Sequence, residues 1–156
     1  MQTEIEVVRP APEVIMRVTV PEHPCAGIKV WLLSEVGKRE LVAALARREL
    51  RGWMGDHQAL ADLQLIASEL VTNAVVHGGG PWVRMSLIAV EERERRYWRL
   101  SVVDSGVSGG VPLPSMPGPE ETRGRGLWVV DDLTNGCWGT DRTQVGERVV
   151  WALIPR

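Results

Sequence analysis

Residues 69–78 constrain the fold of this chain more than any other stretch. They follow a helical pattern, yet several of their polar residues lie beside positions where a helix buries apolar side chains. At roughly 100° per residue, one apolar stripe forms on the predicted helix, made of Leu63, Ile66, Ala67, Leu70 and Ala74. Glu69, Asn73 and His77 follow an i, i+4, i+8 spacing and stack along the flank of that stripe. A carboxylate, an amide and an imidazole in this arrangement can ligate a metal, act as acid and base, or line a pocket. A structural polar shoulder, ended by the glycines at 78–80, explains the segment equally well.

Composition excludes several classes of function. The length of 156 residues suits one domain with one site. With 44% hydrophobic residues, 24% charged residues and a net charge of -2, the chain has a globular composition without the basic excess typical of nucleic-acid binding. No apolar run approaches the ~18 residues that cross a bilayer, and the N-terminal residues do not follow the signal-peptide pattern. We therefore expect a cytoplasmic protein that contacts no membrane and no nucleic acid directly.

Cysteine and tryptophan say little about chemistry. Cys25 and Cys137 are far apart and have no Cys or His neighbour at metal-ligand spacing, so we expect two packed thiols. Phenylalanine is absent and tryptophan occurs seven times, so tryptophans are expected to be the large core side chains. The five candidates are Trp31, Trp82, Trp98, Trp128 and Trp151.

The N-terminal part of the chain predicts an arm followed by strands. Residues 1–13, which include two prolines, predict a loose arm, and residues 14–156 predict the domain itself. β-branched residues and partial alternation predict strands over residues 14–20 and 28–33. The second run is short enough that it could instead open a helix.

Two helices are predicted next. Strong helix formers over residues 38–50 predict an amphipathic helix, whose lysine and arginines we interpret as a solvated face. Asp56 is placed to cap a second helix, which carries the polar flank as far as His77.

Alternation of apolar and polar residues returns in the second half. Residues 81–90 and 97–103 predict an antiparallel pair of strands around a charged turn at 91–95. Residues 136–140 and 148–154 predict two further strands. A sheet of this kind needs a cover for its apolar face, which the helices supply.

A carboxylate follows one of these strands. Asp104 and Gly106 place an acceptor at the mouth of the sheet, beside backbone that a ligand can approach closely. An acceptor-only group suits an exocyclic amine such as that of adenine. Taken alone, an Asp-x-Gly sequence is more commonly a plain turn.

A segment rich in glycine and proline comes next. Residues 105–119 have no periodicity and predict a functional lid or a disordered segment. Gly124 and Gly126 then lead into a short helix, and their N–H groups and the helix dipole suit phosphate oxygens, with Arg123 and Arg125 adding positive charge. This signal is weak by itself, because there is no Walker lysine and the glycines do not follow a strand.

The order of these pieces is far more specific than any one of them. Three segments resemble the N, G1 and G2 boxes of the GHKL ATPases: Glu69-Leu-Val-Thr-Asn73-Ala-Val-Val-His77-Gly78, Asp104-Ser-Gly106 and Gly124-Arg-Gly126-Leu127. Within that superfamily the chain is similar to the small anti-sigma-factor serine/threonine kinases and their actinobacterial histidine-kinase-like ATP-binding relatives. The resemblance runs from about Ser34 to the C-terminus. It implies an α/β two-layer sandwich, with a mixed, mostly antiparallel sheet, three helices on one face, and ATP held between helices and lid.

The resemblance also implies roles for the residues of the first two boxes. Asn73 would hold the Mg²⁺ that bridges the ATP phosphates, and Glu69 would act as the catalytic base. Asp104 would bind the adenine amine, and Gly106 would let the base lie against the strand. His77 would lie near the phosphates, although a packed histidine that closes the helix is nearly as good an interpretation.

The third box is expected to serve the phosphates. Gly124 and Gly126 would give backbone donors at the hinge of the lid, and Leu127 completes the box at the cofactor site. Arg125 is the first choice for a catalytic arginine that neutralises charge during phosphoryl transfer, and Arg123 is the second.

Three departures from the family pattern limit what carries over. Ser108 stands where the G1 box usually has a further glycine. Relatives often carry a threonine before the final strand that helps to hold adenine, and residues 146–149 contain none, which predicts weak nucleotide affinity. The segment before Ser34 is longer than expected and alters a dimer or partner surface.

The function that the resemblance implies is an ATP-dependent anti-sigma factor with protein serine/threonine kinase activity. Such a protein binds a sigma factor and phosphorylates an anti-anti-sigma protein of the STAS type, and a homodimer is expected from its relatives. The alternative is a nucleotide-gated protein-binding module without phosphotransfer, and a third option is a structural domain that has lost nucleotide. Glu69 favours the kinase, whereas the missing threonine favours the module.

Overall fold

Seven strands and four helices form in the part of the chain that a computed structural model describes, which comprises residues 3–8, 15–20, 27–106 and 125–156. The strands are β1 (Thr3–Val8), β2 (Ile15–Val20), β3 (Gly27–Leu32), β4 (Trp82–Glu92), β5 (Arg95–Asp104), β6 (Trp138–Arg142) and β7 (Arg148–Pro155). The helices are α1 (Leu33–Val36), α2 (Leu41–Met54), α3 (Leu60–His77) and α4 (Arg125–Thr134). Among these described helices, none combines the length and the apolar character needed to cross a membrane.

Five of the strands form one sheet in the order β3-β4-β5-β7-β6. Its four pairings are all antiparallel, so the described strands contain no parallel pair. Helices α2, α3 and α4 share one hydrophobic core with this sheet. The predicted two-layer sandwich is therefore confirmed, whereas the described strands form a wholly antiparallel sheet and not the mixed one that was predicted.

The N-terminal arm contains a strand, so the prediction of a loose arm is wrong for residues 3–8. β1 pairs antiparallel with β2 in a separate two-stranded sheet. The reason lies in residues 4–7, which alternate glutamate with a β-branched residue, the period of a strand. The division of the chain at residue 14 stays a prediction.

The main core lies between the helices and one face of the sheet. Along β4, Val83, Met85 and Leu87 are fully buried, whereas the residues between them are partly exposed. The apolar stripe of α3, which runs from Leu63 to Ala74, is also buried, as predicted. Each fully buried side chain of this size contributes about 1.5–3 kcal/mol to stability. This packing fixes α3 across β4, β5 and β7 and thereby sets the position of its polar flank.

The tryptophans divide between core and surface. The three that are buried are Trp31, Trp98 and Trp151. Trp82 is partly buried, and Trp128 is 41% exposed, so the prediction of a core anchor is wrong for Trp128. The reason is the helical period of α4, which buries Leu127 and Val130 and turns Trp128 away from them.

Cys137 is exposed, which corrects the prediction of a packed thiol. It lies in the connection between α4 and β6, directly after a turn at Gly136 with φ of 78°. Cys25 lies outside the described residues.

The second long helix begins later than predicted. Asp56 does not cap α3, which begins at Leu60 with Ala59 as its N-cap residue. The backbone N–H of Ala59 donates instead to Nδ1 of His57 at 3.0 Å. The ring of His57 also packs edge-on against Trp98, with 5.6 Å between centroids, so a histidine held by the core fixes the start of the helix.

The turn between β4 and β5 is tighter than the predicted turn at 91–95. Only Arg93 and Glu94 form it, with φ of 48° and 65°. Glu92 and Arg95 pair opposite each other across the two strands. Opposite charges in such a pair contribute roughly 0.2–1 kcal/mol, which explains why a charged run continues the strands.

Candidate functional site

Two of the three polar flank residues of α3 lie at the margin of the core. Glu69 and Asn73 are half-buried and stand one turn apart, beside the buried side chains of Leu70 and Ala74. His77 is the last residue of α3 and is exposed. The fold therefore places a carboxylate and an amide along one wall, and the imidazole at the solvent end of that wall.

The first turn of α4 lies directly on the side chain of Glu69. A Cβ atom at Gly126 would collide with the Glu69 carboxylate, so glycine is the residue that lets α4 approach α3 this closely. Leu127 is 5% exposed and anchors the same turn of α4 in the core. Glu69 is thus held between two helices.

Partial burial raises the pKa of the Glu69 carboxyl group above its ordinary value, because loss of solvent penalises the charged form. A carboxylate whose pKa is raised toward neutrality is a stronger base at physiological pH. This environment suits removal of a proton from a hydroxyl group.

Asp104, the last residue of β5, is almost completely buried at 2% exposure. Its Oδ2 accepts two hydrogen bonds from Arg148, one from Nε at 3.1 Å and one from Nη2 at 2.8 Å. Its Oδ1 accepts a hydrogen bond from the backbone N–H of Gly106 at 2.8 Å. Three hydrogen bonds therefore fix the orientation of this carboxylate.

Glycines allow other parts of the backbone to close around Asp104. A Cβ atom at Gly78 would lie 2.9 Å from Cγ and 3.0 Å from Oδ2 of Asp104, so the end of α3 packs on the carboxylate. Gly106 has φ of 70°, and a Cβ atom there would lie 2.7 Å from the carbonyl oxygen of Gly146. The end of α3, the end of β5 and the β6–β7 turn meet at this point.

The site residues thus fall into two groups at opposite ends of the polar flank. We call the first group the α3–α4 edge, which consists of Glu69, Asn73 and Gly126. We call the second group the Asp104 corner, which consists of Gly78, Asp104, Gly106 and Arg148. Helix α3 joins them, since it carries Glu69 and Asn73 and ends next to Gly78.

Several predicted site residues cannot be placed by the fold. Arg123 and Gly124 lie outside the described residues, as do residues 107–119 of the predicted lid. Arg125 is the first residue of α4, but its side chain lies outside the description. The roles expected for these three residues stay predictions.

Arg148 is the site residue that the sequence pattern did not reveal. It opens β7 and stands opposite Asp104 in the register of the β5–β7 pair. A signal was present in the sequence, because Asp104 directly follows the largely apolar residues 100–103 and Arg148 directly precedes the apolar residues 149–154. Opposite charges at the ends of antiparallel neighbours indicate a pair, provided that the order of the strands is known.

A metal site made by the protein alone does not occur in the described part of the chain, which has no group of three or more His, Cys, Asp or Glu side chains able to hold a metal. Mg²⁺ usually takes one or two protein oxygens and completes its shell with water and substrate phosphates. The amide oxygen of Asn73, one turn from the Glu69 carboxylate, fits such a shared site.

Comparison with known families finds a match that covers most of the helices and sheet, but not β3. A family model described as the histidine kinase-like ATPase domain matches residues 34–152, which is more than half of the chain and includes both the α3–α4 edge and the Asp104 corner. No curated protein matches the chain in sequence. The predicted membership of the GHKL superfamily from about Ser34 onward is therefore confirmed. The chain belongs to the family of histidine kinase-like ATPase domains, which bind ATP.

Proposed function

We propose that this protein is an ATP-dependent anti-sigma factor with protein serine/threonine kinase activity. It would bind a sigma factor in the cytoplasm and phosphorylate a STAS-type anti-anti-sigma protein that competes for the same partner. Membership of an ATP-binding family supports the nucleotide part of the proposal. The resemblance of the three boxes to the small anti-sigma kinases supports the choice of partners, as well as a homodimer.

The environment of Glu69 is the single observation that most supports the proposed kinase activity. Its carboxyl group is half-buried with a raised pKa, and it lies against Gly126 at the first turn of α4. A base in this state is suited to accept the proton of a serine or threonine hydroxyl as the hydroxyl oxygen attacks the γ-phosphorus of ATP. The bond from that phosphorus to the β–γ bridging oxygen breaks, and ADP leaves.

The other residues of the α3–α4 edge orient the phosphates. Asn73 would ligate Mg²⁺, which when bound supplies charge neutralisation at the phosphate oxygens. Backbone N–H groups at Gly124 and Gly126 would donate to the same oxygens. Arg125, with Arg123 as second choice, would stabilise the negative charge that develops during transfer.

Transfer of radiolabelled phosphate from γ-labelled ATP to the STAS proteins of the same genome tests the activity. We expect labelling of one STAS protein on serine or threonine, together with loss of labelling in Glu69→Gln at unchanged ATP binding. Glu91→Gln, which neutralises an exposed carboxylate on β4, is the matched control and should transfer normally. Equal transfer by Glu69→Gln would remove Glu69 from the role of base.

A second function, a nucleotide-gated binding module without phosphotransfer, is favoured by the Asp104 corner. The carboxylate expected to bind adenine already accepts three hydrogen bonds from the chain itself, and residues 146–149 contain no threonine. Both observations predict weak nucleotide binding. ATP-dependent binding of a sigma factor without labelling of any STAS protein would select this module over the kinase.

A further inference from the structure

The hydrogen bonds of Asp104 use its two oxygens unequally. A carboxylate offers about four acceptor positions, two on each oxygen. Both hydrogen bonds that Arg148 donates to Asp104 end on Oδ2, whereas Oδ1 accepts one bond, from the N–H of Gly106. Among the described residues, Oδ1 is therefore the oxygen with one acceptor position left.

The chain also closes the space around Oδ2. The backbone of Gly78 is so near that a Cβ atom there would lie 3.0 Å from Oδ2. The side chains of Asp104 and Arg148 are 3% and 6% exposed, so neither charge is shared with solvent to any large extent. The chain itself thus occupies the positions around Oδ2, so a donor from a ligand is expected at Oδ1.

Arginine is suited to hold a carboxylate in this way. Its guanidinium group is planar and rigid, so two nitrogens that donate to one oxygen restrict both the position and the plane of the acceptor. Lysine has a single nitrogen on a flexible stem and cannot impose the same restriction. The direction in which the remaining acceptor position of Oδ1 points thus depends on Arg148.

We propose that Arg148 is a positioning residue for recognition of the nucleobase, which fixes Asp104 so that Oδ1 accepts one N–H of an exocyclic amino group. The inference rests on the proposed nucleotide site. It makes the chain selective for 6-aminopurine nucleotides over purine nucleotides that lack the amine. Selectivity would then come from a buried ion pair between two strands of the sheet.

The test compares the dissociation constants of ATP and of purine riboside triphosphate, in which hydrogen replaces the amino group. The unaltered chain should prefer ATP by about tenfold or more, the usual effect of one hydrogen bond to a charged acceptor. In Arg148→Met this preference should fall below about threefold, because Oδ1 is no longer oriented. The ratio of two constants measured on one preparation does not depend on the fraction of protein that is folded.

Two further variants keep the result decisive. Arg148→Lys retains the charge, and its preference for ATP should fall at least about threefold, because the pair of bonds that converge on Oδ2 is lost. Arg96→Met, at an exposed position of the same sheet, should keep the full preference. If Arg148→Met does not fold, Arg148→Lys decides.

Three outcomes overturn the inference. An unchanged preference for ATP in Arg148→Met or in Arg148→Lys would show that Arg148 does not orient Asp104 for base recognition. Tighter ATP binding by either variant would show that Arg148 competes with the amine. Failure of the unaltered chain to bind either nucleotide would overturn the proposed function as well, which distinguishes that result from the other two.

Discussion

The Asp104 corner and the α3–α4 edge are built in opposite ways. At the corner, Asp104 and Arg148 are almost fully buried and bonded to each other and to the backbone. At the edge, Glu69 and Asn73 are half-buried, and within the described residues their side chains make no hydrogen bond or ion pair. The corner is therefore held together by its own ion pair, with one acceptor position remaining at Oδ1, whereas the edge keeps all of its bonding capacity for a ligand.

This difference separates stability from ligand binding. A buried ion pair is strongly coupled to folding, because removal of one partner leaves the other charge buried and uncompensated. A half-exposed group with unused acceptors contributes little to folding but can bind a metal or a phosphate directly. Removal of the Asp104 carboxylate should therefore chiefly lower stability, whereas substitutions at the edge should chiefly weaken ligand binding.

The largest effect is expected at the corner. Asp104→Ala should lower the free energy of unfolding by about 3–5 kcal/mol, since it removes the carboxylate that compensates the buried charge of Arg148. Denaturation in urea measures this loss. Glu49→Ala removes a more exposed ion pair with Lys29, whose atoms are 3.9 Å apart, and should cost less than about 1 kcal/mol. A loss of similar size in both variants would contradict the structural role of the corner.

The next effect should appear only when ligand is present. Asn73→Ala should leave the free energy of unfolding of the free protein within about 0.5 kcal/mol. ATP with Mg²⁺ at about 100 times Kd should stabilise the unaltered chain by about 2.7 kcal/mol, and Asn73→Ala should lose this gain. Thermal unfolding with and without Mg²⁺ measures it, and Thr72→Ala, an exposed neighbour on α3, serves as control. A full ligand-induced gain in Asn73→Ala would exclude Asn73 from the site.

A third prediction concerns the contact between α3 and α4. Gly126→Ala should lower the free energy of unfolding by about 1 kcal/mol, because the added methyl group collides with the Glu69 carboxylate and either that side chain or α4 must move. Gly52→Ala is the control, since no atom lies within 4 Å of a Cβ placed there in α2. That variant should gain about 0.5–1 kcal/mol. A stabilising Gly126→Ala would show that the contact between Glu69 and Gly126 does not restrict the packing of α4.

The smallest effect should depend on pH. The raised pKa of Glu69 means that the native state binds this proton more tightly than the unfolded state, so stability falls as pH rises from the ordinary value of 4.5 through the raised pKa. Glu69→Gln lacks this loss and should be more stable than the unaltered chain at pH 7, by less than about 1 kcal/mol, since solvent screens a half-exposed group. The difference should disappear below about pH 4. Urea denaturation at pH 7 and below about pH 4 measures this difference. A lower stability of Glu69→Gln than of the unaltered chain at pH 7 would contradict the raised pKa of Glu69.

The sequence predicted those features that depend on local periodicity. The alternation through Val83, Met85 and Leu87 and the stripe on α3 are both confirmed, because burial on one face requires those periods. The exposed Trp128 was missed, since hydrophobic character alone does not fix which side of a short helix meets the core. The cap of α3 was also missed, because His57 accepts the hydrogen bond that Asp56 was expected to accept.

The candidate site was predictable only in part, for a different physical reason. Glu69 and Asn73 could be found because they share one helix face. Arg148 could not, because its relation to Asp104 depends on the strand order β5-β7-β6, which brings together residues 44 apart in sequence. The chemical roles at the α3–α4 edge stay predictions, because a fold fixes the position of a side chain but not its action on a ligand.

The tight turn at Arg93 and Glu94 has a consequence for the time course of folding. It joins two strands that pair over ten positions, and a hairpin of such local contacts forms within about 1–10 μs. The bond between Asp104 and Arg148 must instead close a loop of 44 residues, which costs more chain entropy and occurs later. We therefore expect Asp104→Ala to accelerate unfolding far more than it slows folding. The lifetime of the native state, more than the speed at which it is reached, should depend on this one ion pair.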